Sequence, residues 1–142
     1  MSVPYDDNNV FAKILRGEIP AHVVYEDAET LAFMDVMPAV DGHLLVIPKA
    51  KARNILDIRP EDLACVAETV RKLAIAAKTA FLADGVTIQQ FSEAAGGQEV
   101  FHLHVHVMPR QAADRVRKLP RPFADPQVLA AHAEKIRAAL AA

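Results

Sequence analysis

Up to Pro48 the apolar positions fall in short runs; beyond it they settle into one long helical period. Val10 to Arg16 is short and amphipathic and is stopped by Gly17 and Pro20, which predicts a brief helix. His22 to Glu26 and Thr30 to Asp35 are apolar-rich runs on either side of an Asp27-Ala28-Glu29 turn, the pattern of a hairpin. Val36-Met37-Pro38 breaks the second run. Asp41-Gly42 then turns into His43-Leu44-Leu45-Val46-Ile47, continuously apolar up to Pro48, as a strand buried on both faces would be. Pro60 suits a first helical turn, and Glu61 and Asp62 follow where the dipole favours anions. Leu63, Val66, Ala67, Val70, Leu73, Ala74, Ala77 and Phe81 recur at three- and four-residue steps, so a helix runs from Pro60 to Leu82 and ends at Asp84-Gly85. Val86 to Phe91 reads as a strand, Ser92 to Gln98 as a small-residue loop, and Val100 to Met108 as the last strand, closed by Pro109. The tail from Arg110 carries Pro120, Pro122 and Pro126 and is expected to be extended before a final helix, Pro126 to Leu140. This order predicts an α+β domain: an antiparallel β-sheet with one long packed helix, and a C-terminal extension ending in a short helix. The division falls at residues 1–110 and 111–142.

Composition narrows the partners. The 142 residues are 52% hydrophobic, enough for one domain with its own core. Lys+Arg number 16 against Asp+Glu 18, a net charge of -2, so there is no broad basic field for nucleic acid or membrane and any phosphate recognition must be local. The lone cysteine, Cys65, lies inside the long helix; it excludes an internal disulfide and fits a reducing compartment. No apolar stretch approaches the roughly 20 residues of a membrane span. Met1 to Asn9 is acidic and polar, without the basic-then-apolar order of a signal peptide, so the expected location is the cytoplasm.

The informative segment is His102-Leu103-His104-Val105-His106-Val107-Met108. On a strand the three histidines share one face and Leu103, Val105 and Val107 the other, with imidazoles about 7 Å apart. Two chemistries can use such a row. Neutral imidazoles can ligate a metal such as zinc, but that needs a further ligand from elsewhere, and no second cluster of Cys, His or Asp is evident. Alternatively one histidine is a nucleophile toward phosphorus, its neighbours fixing its tautomer and donating to phosphoryl oxygens. Just upstream, Ala94-Ala95-Gly96-Gly97-Gln98 could form a backbone nest for an anion.

The run from Gly97 to Arg110 resembles the signature of the histidine triad (HIT) family, His-φ-His-φ-His-φ-φ with φ apolar. Val10-Phe11-Ala12-Lys13-Ile14, Gly17-Glu18-Ile19-Pro20, Ala32-Phe33-Met34-Asp35 and Gly42 to Lys49 are similar to its branch of histidine triad nucleotide-binding proteins. The resemblance implies a homodimer that binds purine nucleoside phosphates and cleaves at the α-phosphorus, most specifically as a nucleoside phosphoramidase, with no cofactor and no metal. By position it makes His104 the nucleophile, with His102 orienting it, His106 contacting phosphate or leaving group, and His43 the fourth histidine nearby. It assigns Asp35 to the ribose hydroxyls, and Phe11, Ile14, Ile19, Phe33, Val36 and Leu45 to the base pocket. Ser92, Gly97, Gln98 and Glu99 would lie beside the phosphate. The family often has Asn at the place of Ser92 and commonly Ser or Thr at Glu99, where a carboxylate would repel phosphate, so the Glu99 amide is the expected contact. Asn9 and Ala12 occupy the places of a Cys-x-x-Cys zinc pair found in some relatives. Dinucleoside polyphosphate hydrolysis and non-catalytic nucleotide binding are the competing readings. Dimerisation is expected through the Pro60–Leu82 helix, by Ala64, Ala67, Val70, Ala74 and Ala77, and through the Val86–Phe91 strand.

Overall fold

The computed structural model describes residues 3–117 and 121–142. Met1 and Ser2 of the polar N-terminus, and Pro120 of the expected extended tail, lie outside them. Asn9 starts the first helix, α1 (Val10–Leu15), its side chain accepting from the Ala12 amide. Strands β1 (Val23–Glu26) and β2 (Thr30–Met34) form the expected hairpin. Asp27 shapes its turn, one carboxylate oxygen accepting from the amides of Glu29 and Thr30 at 2.9 and 2.7 Å. Next come β3 (Leu44–Pro48), α2 (Pro60–Ala80), β4 (Gly85–Gln89), a single 3₁₀ turn (Ala94–Gly96), β5 (Val105–Arg110) and α3 (Pro126–Ala141). The five strands lie in the order β1-β2-β3-β5-β4, every pair antiparallel.

Period two sorts the side chains onto two faces. Val24, Ala32, Met34, Leu44, Val46, Val105 and Val107 face α2 and α3, where Val66, Val70, Leu73, Ala77, Leu129, Ala133 and Ile136 complete the main core. On the other face Leu31, Phe33, Leu45 and Ile47 close a smaller cluster under Phe11 of α1. β3 is therefore buried on both faces, as its unbroken apolar run requires.

Three expectations need correction. The last strand begins at Val105, not Val100. Its pairing with β3 ends at Val46↔Val105, and the next residues of β3 run into Pro48, which has no N–H to extend the ladder. The Leu103 amide instead donates to the carbonyl of Ala52 at 2.8 Å. The long helix stops at Ala80; Leu82 has φ +49° and is 86% exposed. The small-residue helix face is also divided: Val70 and Ala77 pack into the chain's own core, Ala74 is half-buried, and Ala64 and Ala67 are exposed.

The segment after β5 is stitched to the loop between β2 and β3. The Arg117 amide donates to the carbonyl of Ala39 and the Ala124 amide to that of Val36, both at 2.9 Å. Arg117 also reaches Asp41, at 3.1 Å. Gly42 ends this loop at φ +87°, where a Cβ would lie 2.7 Å from the Phe81 ring. Among the described residues no helix is long and apolar enough to cross a membrane.

Candidate active site

The histidine row survives the loss of its strand. His102 and His104 precede β5 and His106 lies within it, yet all three turn away from Leu103, Val105 and Val107, which enter the main core. They lie on the Phe11 side of the sheet: Phe11 meets the His104 ring edge-on with centroids 4.9 Å apart, and His104 and His106 are 5.1 Å apart.

Each ring's tautomer follows from a partner that can play only one part. The carbonyl of Pro48 lies 2.9 Å from His102 Nε2, so that nitrogen carries the proton and Nδ1 accepts from the Tyr5 hydroxyl. His104 Nδ1 is 2.7 Å from the carbonyl of His102 and must donate to it. Its Nε2 is therefore a bare lone pair, with no protein partner among the described residues. The Ala39 amide donates to His43 Nδ1 at 2.9 Å, which puts the His43 proton on Nε2. That proton faces His106 Nδ1 at 2.9 Å, closer than the Asp35 carboxylate at 3.4 Å. His106 is left as a neutral ring with an outward Nε2–H. The chain Ala39–His43–His106 thus aims a donor, and His102–His104 a lone pair, from adjacent rings.

Burial keeps the rings uncharged. His43 is depressed to about 3, by burial and then by the neighbouring His106. His102 and His106 are both depressed to about 4, again chiefly by burial. His104 is lowered for the same reason, opposed by its bond to the His102 carbonyl and by Glu99. Burial raises Asp35, against the Met37 amide and Arg121, which favour its charged form.

The remaining expected residues divide. Phe11, Phe33 and Leu45 are together beside His104, and Ile14 packs against them. Ile19 lines a groove of about 400 Å³ with Ile14, Leu15, Ala21, Val23 and Leu31, rimmed by Glu26 and Lys49. Val36 is 43% exposed on the β2–β3 loop and is not part of that cluster. Asp35 meets His43 and His106, one oxygen accepting from the Met37 amide at 2.8 Å.

The small-residue loop is not an open nest. The amides of Gly96, Gly97 and Gln98 donate to carbonyls within the loop. Gly97 has φ +102° and its place for a Cβ is 3.2 Å from Phe91, so glycine is required there by conformation and contact together. The Gln98 side chain is fully spent: it accepts from the Glu93 amide and Asn54, and donates to the carbonyls of Arg53 and Val100. Ser92 is paired with Gln90. The Glu99 amide has no acceptor among the described residues.

Asp35, His43 and His106 bring ligand atoms within 4.8 Å of one another, which is close enough for a cation. The donor set does not suit one as it stands: His43 Nε2 is committed to His106, and the Arg121 guanidinium is 4.0 Å from the Asp35 carboxylate. Tyr5, Ala39 and Arg121 were not marked by the sequence pattern. Ala39 acts through its amide alone and leaves no trace in residue type. Arg121, set between two prolines, carries the only such hint.

The chain is similar to known proteins over most of its length. The model of the HIT domain matches residues 16–113. Protein HitA of Neisseria gonorrhoeae is 42% identical over 102 residues, 72% of this chain and 95% of the relative. Among solved structures, a Hit-like protein from Bartonella henselae, described as involved in cell-cycle regulation, superposes with TM-score 0.90 at 48% identity, covering 96% of this chain and 99% of that one. A hypothetical histidine triad nucleotide-binding protein from Sulfolobus tokodaii gives TM-score 0.85 at 31% identity, covering 92% and 91%. A HIT family hydrolase from Legionella pneumophila gives 0.64 at 38%, covering 80% and 98%.

Proposed function

Because the chain belongs to the HIT domain family, we propose that it is a nucleotide hydrolase or transferase cleaving purine nucleoside phosphoramidates at the α-phosphorus. The observation that carries this reading is the His104 ring: its Nδ1–H is anchored on the His102 carbonyl and its Nε2 lone pair is free. The lone pair attacks phosphorus and the P–N bond breaks, its electron pair leaving with the nitrogen. A phosphoramidate protonated on nitrogen departs as a neutral amine and needs no acid from the protein. The His106 Nε2–H donates to a phosphoryl oxygen as charge gathers there. Water then displaces His104 from the nucleotidyl intermediate, restoring its lone pair. One proton of that water goes to the departed amine and one to solvent, replacing the proton that the substrate first took up.

The Glu99 charge, felt at both His104 and Asp35, would repel a polyphosphate leaving group that came near it, which supports an amine in that role. Phe11, Phe33 and Leu45 take the base, and the Asp35 oxygen not held by Met37 accepts from the ribose. The protein acts in the cytoplasm as a homodimer, through the free edge of β4 and the exposed Ala64 and Ala67 of α2. Ile75 and Ile88 beside them are 53% and 50% exposed, which supports this surface.

The test is a panel of adenosine and guanosine phosphoramidates, acyl adenylates and dinucleoside polyphosphates, with rapid quenching to trap nucleotide on His104. A trapped adduct and a preference for phosphoramidates are expected. A panel turned over only as dinucleoside polyphosphates would replace this substrate class, and no turnover of any member would leave a binding protein. A monomeric mass by light scattering would remove the dimer.

A further inference from the structure

Arg121 sits where a surface arginine would not be expected. It is 16% exposed, its Nε donates to the carbonyl of Met37 at 2.6 Å, and one terminal nitrogen lies 4.0 Å from the Asp35 carboxylate. The same Met37 offers its amide to the other Asp35 oxygen at 2.8 Å. Arg121 and Asp35 therefore grip one residue of the β2–β3 loop from its two sides, and the segment carrying Arg121 is tied to that loop at Val36 and Ala39 as well.

At 4.0 Å the guanidinium attracts the carboxylate but makes no hydrogen bond to it. The carboxylate oxygen keeps its accepting capacity, and the guanidinium keeps its terminal donors among the described residues. We propose that Arg121 is a positioning residue of the nucleoside site, holding the Asp35 carboxylate charged and turned toward the ribose without occupying its lone pairs. This rests on the reading of Asp35 as the ribose acceptor. Among the described residues, every charged or titratable group facing Asp35 is consistent with the need for a cation. His43 and His106 are neutral and buried beside it, His104 is neutral behind them, and Glu99 opposes its charge. Arg121 supplies the opposite sign. The bland account is that Arg121 only staples the loop through the Met37 carbonyl.

Calorimetric binding of adenosine 5′-monophosphate and its 2′,3′-dideoxy analogue separates the two accounts, using the full chain as wild type, Arg121→Gln, Asp35→Asn and the double variant. Arg121→Gln keeps a donor for Met37 and is expected to weaken the ribonucleotide about five- to tenfold and the dideoxy analogue less than about twofold, with no further loss when added to Asp35→Asn. Arg121→Lys, which keeps the charge, is expected to recover most of the loss and guards against a folding defect in the glutamine variant. Equal losses for both ligands, or an undiminished loss in the Asp35→Asn background, overturn the role of Arg121. If Asp35→Asn itself fails to distinguish the two ligands, the ribose reading falls, and with it this inference.

Discussion

The backbone N–H of Ala39 lies 2.9 Å from Nδ1 of His43, and because an amide can only donate, it decides where His43 carries its proton. That decision passes through His43 Nε2 to His106 Nδ1, another 2.9 Å away, and leaves His106 with a donor facing outward. A residue with no functional group of its own therefore sets the hydrogen-bonding sense of the ring beside His104.

His104→Ala should fold and bind nucleoside monophosphate but lose turnover. The ring is 7% exposed and edge-packed on Phe11, so some stability is lost with it. The measurement is kcat/KM on an adenosine phosphoramidate. A variant retaining more than about a tenth of wild-type kcat/KM, a change under about 1.4 kcal/mol, would not have lost its nucleophile.

Activity should survive EDTA. The His104 lone pair is produced by the carbonyl of His102, and no cation is needed to make it. Inactivation by chelation, reversed by added zinc or manganese, would instead assign the Asp35, His43 and His106 cluster to a metal.

Stability should fall on acidification. His43 is depressed to about 3 and His102 and His106 to about 4 in the folded chain, so below the ordinary histidine range the unfolded chain binds more protons. Folding free energy is full above about pH 6.5 and is lost as pH drops toward 4, at up to about 1.4 kcal/mol per pH unit for each ring. Denaturant midpoints should be flat from about pH 7 to 8 and decline below about 6.5. A midpoint unchanged down to pH 5 would contradict the burial of these rings.

Gly42→Ala should be costlier than Gly17→Ala. Both residues have positive φ, +87° and +76°, but only Gly42 meets neighbours, the Phe81 ring at 2.7 Å and Pro109 at 2.9 Å. Gly17→Ala reports the backbone cost alone, about 1 kcal/mol, and Gly42→Ala adds overpacking for a total of about 2–4 kcal/mol. Equal losses in thermal unfolding would show that Phe81 gives way.

Alternation made the histidine face legible although two of its three rings precede the strand. His102, Leu103 and His104 keep extended alternation because Leu103 is drawn into the core and its amide to Ala52, while the two rings are held by the carbonyls of Pro48 and His102. Pattern sees the faces; it does not see which backbone partner ends the ladder. Ala39, Tyr5 and Arg121 escaped for a related reason. Tyr5 and Arg121 act through contacts across the fold, 97 positions from His102 and 84 from Met37, and Ala39 acts on nearby His43 through a backbone amide that any residue type would supply. Gln98 was legible as part of the loop but not as its pin, since four internal partners use the same groups a ligand would.

The stitching of the tail to the β2–β3 loop bears on the order in which the molecule is made. Asp35 and His43 leave the ribosome early, yet the loop between them is fastened by Arg117, Arg121 and Ala124, and the main core waits for Leu129, Ala133 and Ile136. During synthesis the sheet and α2 emerge with an apolar face still uncovered, a state open to wrong associations. The loop of the site is fastened once residues 117–124 have emerged, but the main core closes only with α3, so chains cut short before α3 are expected to be prone to aggregate.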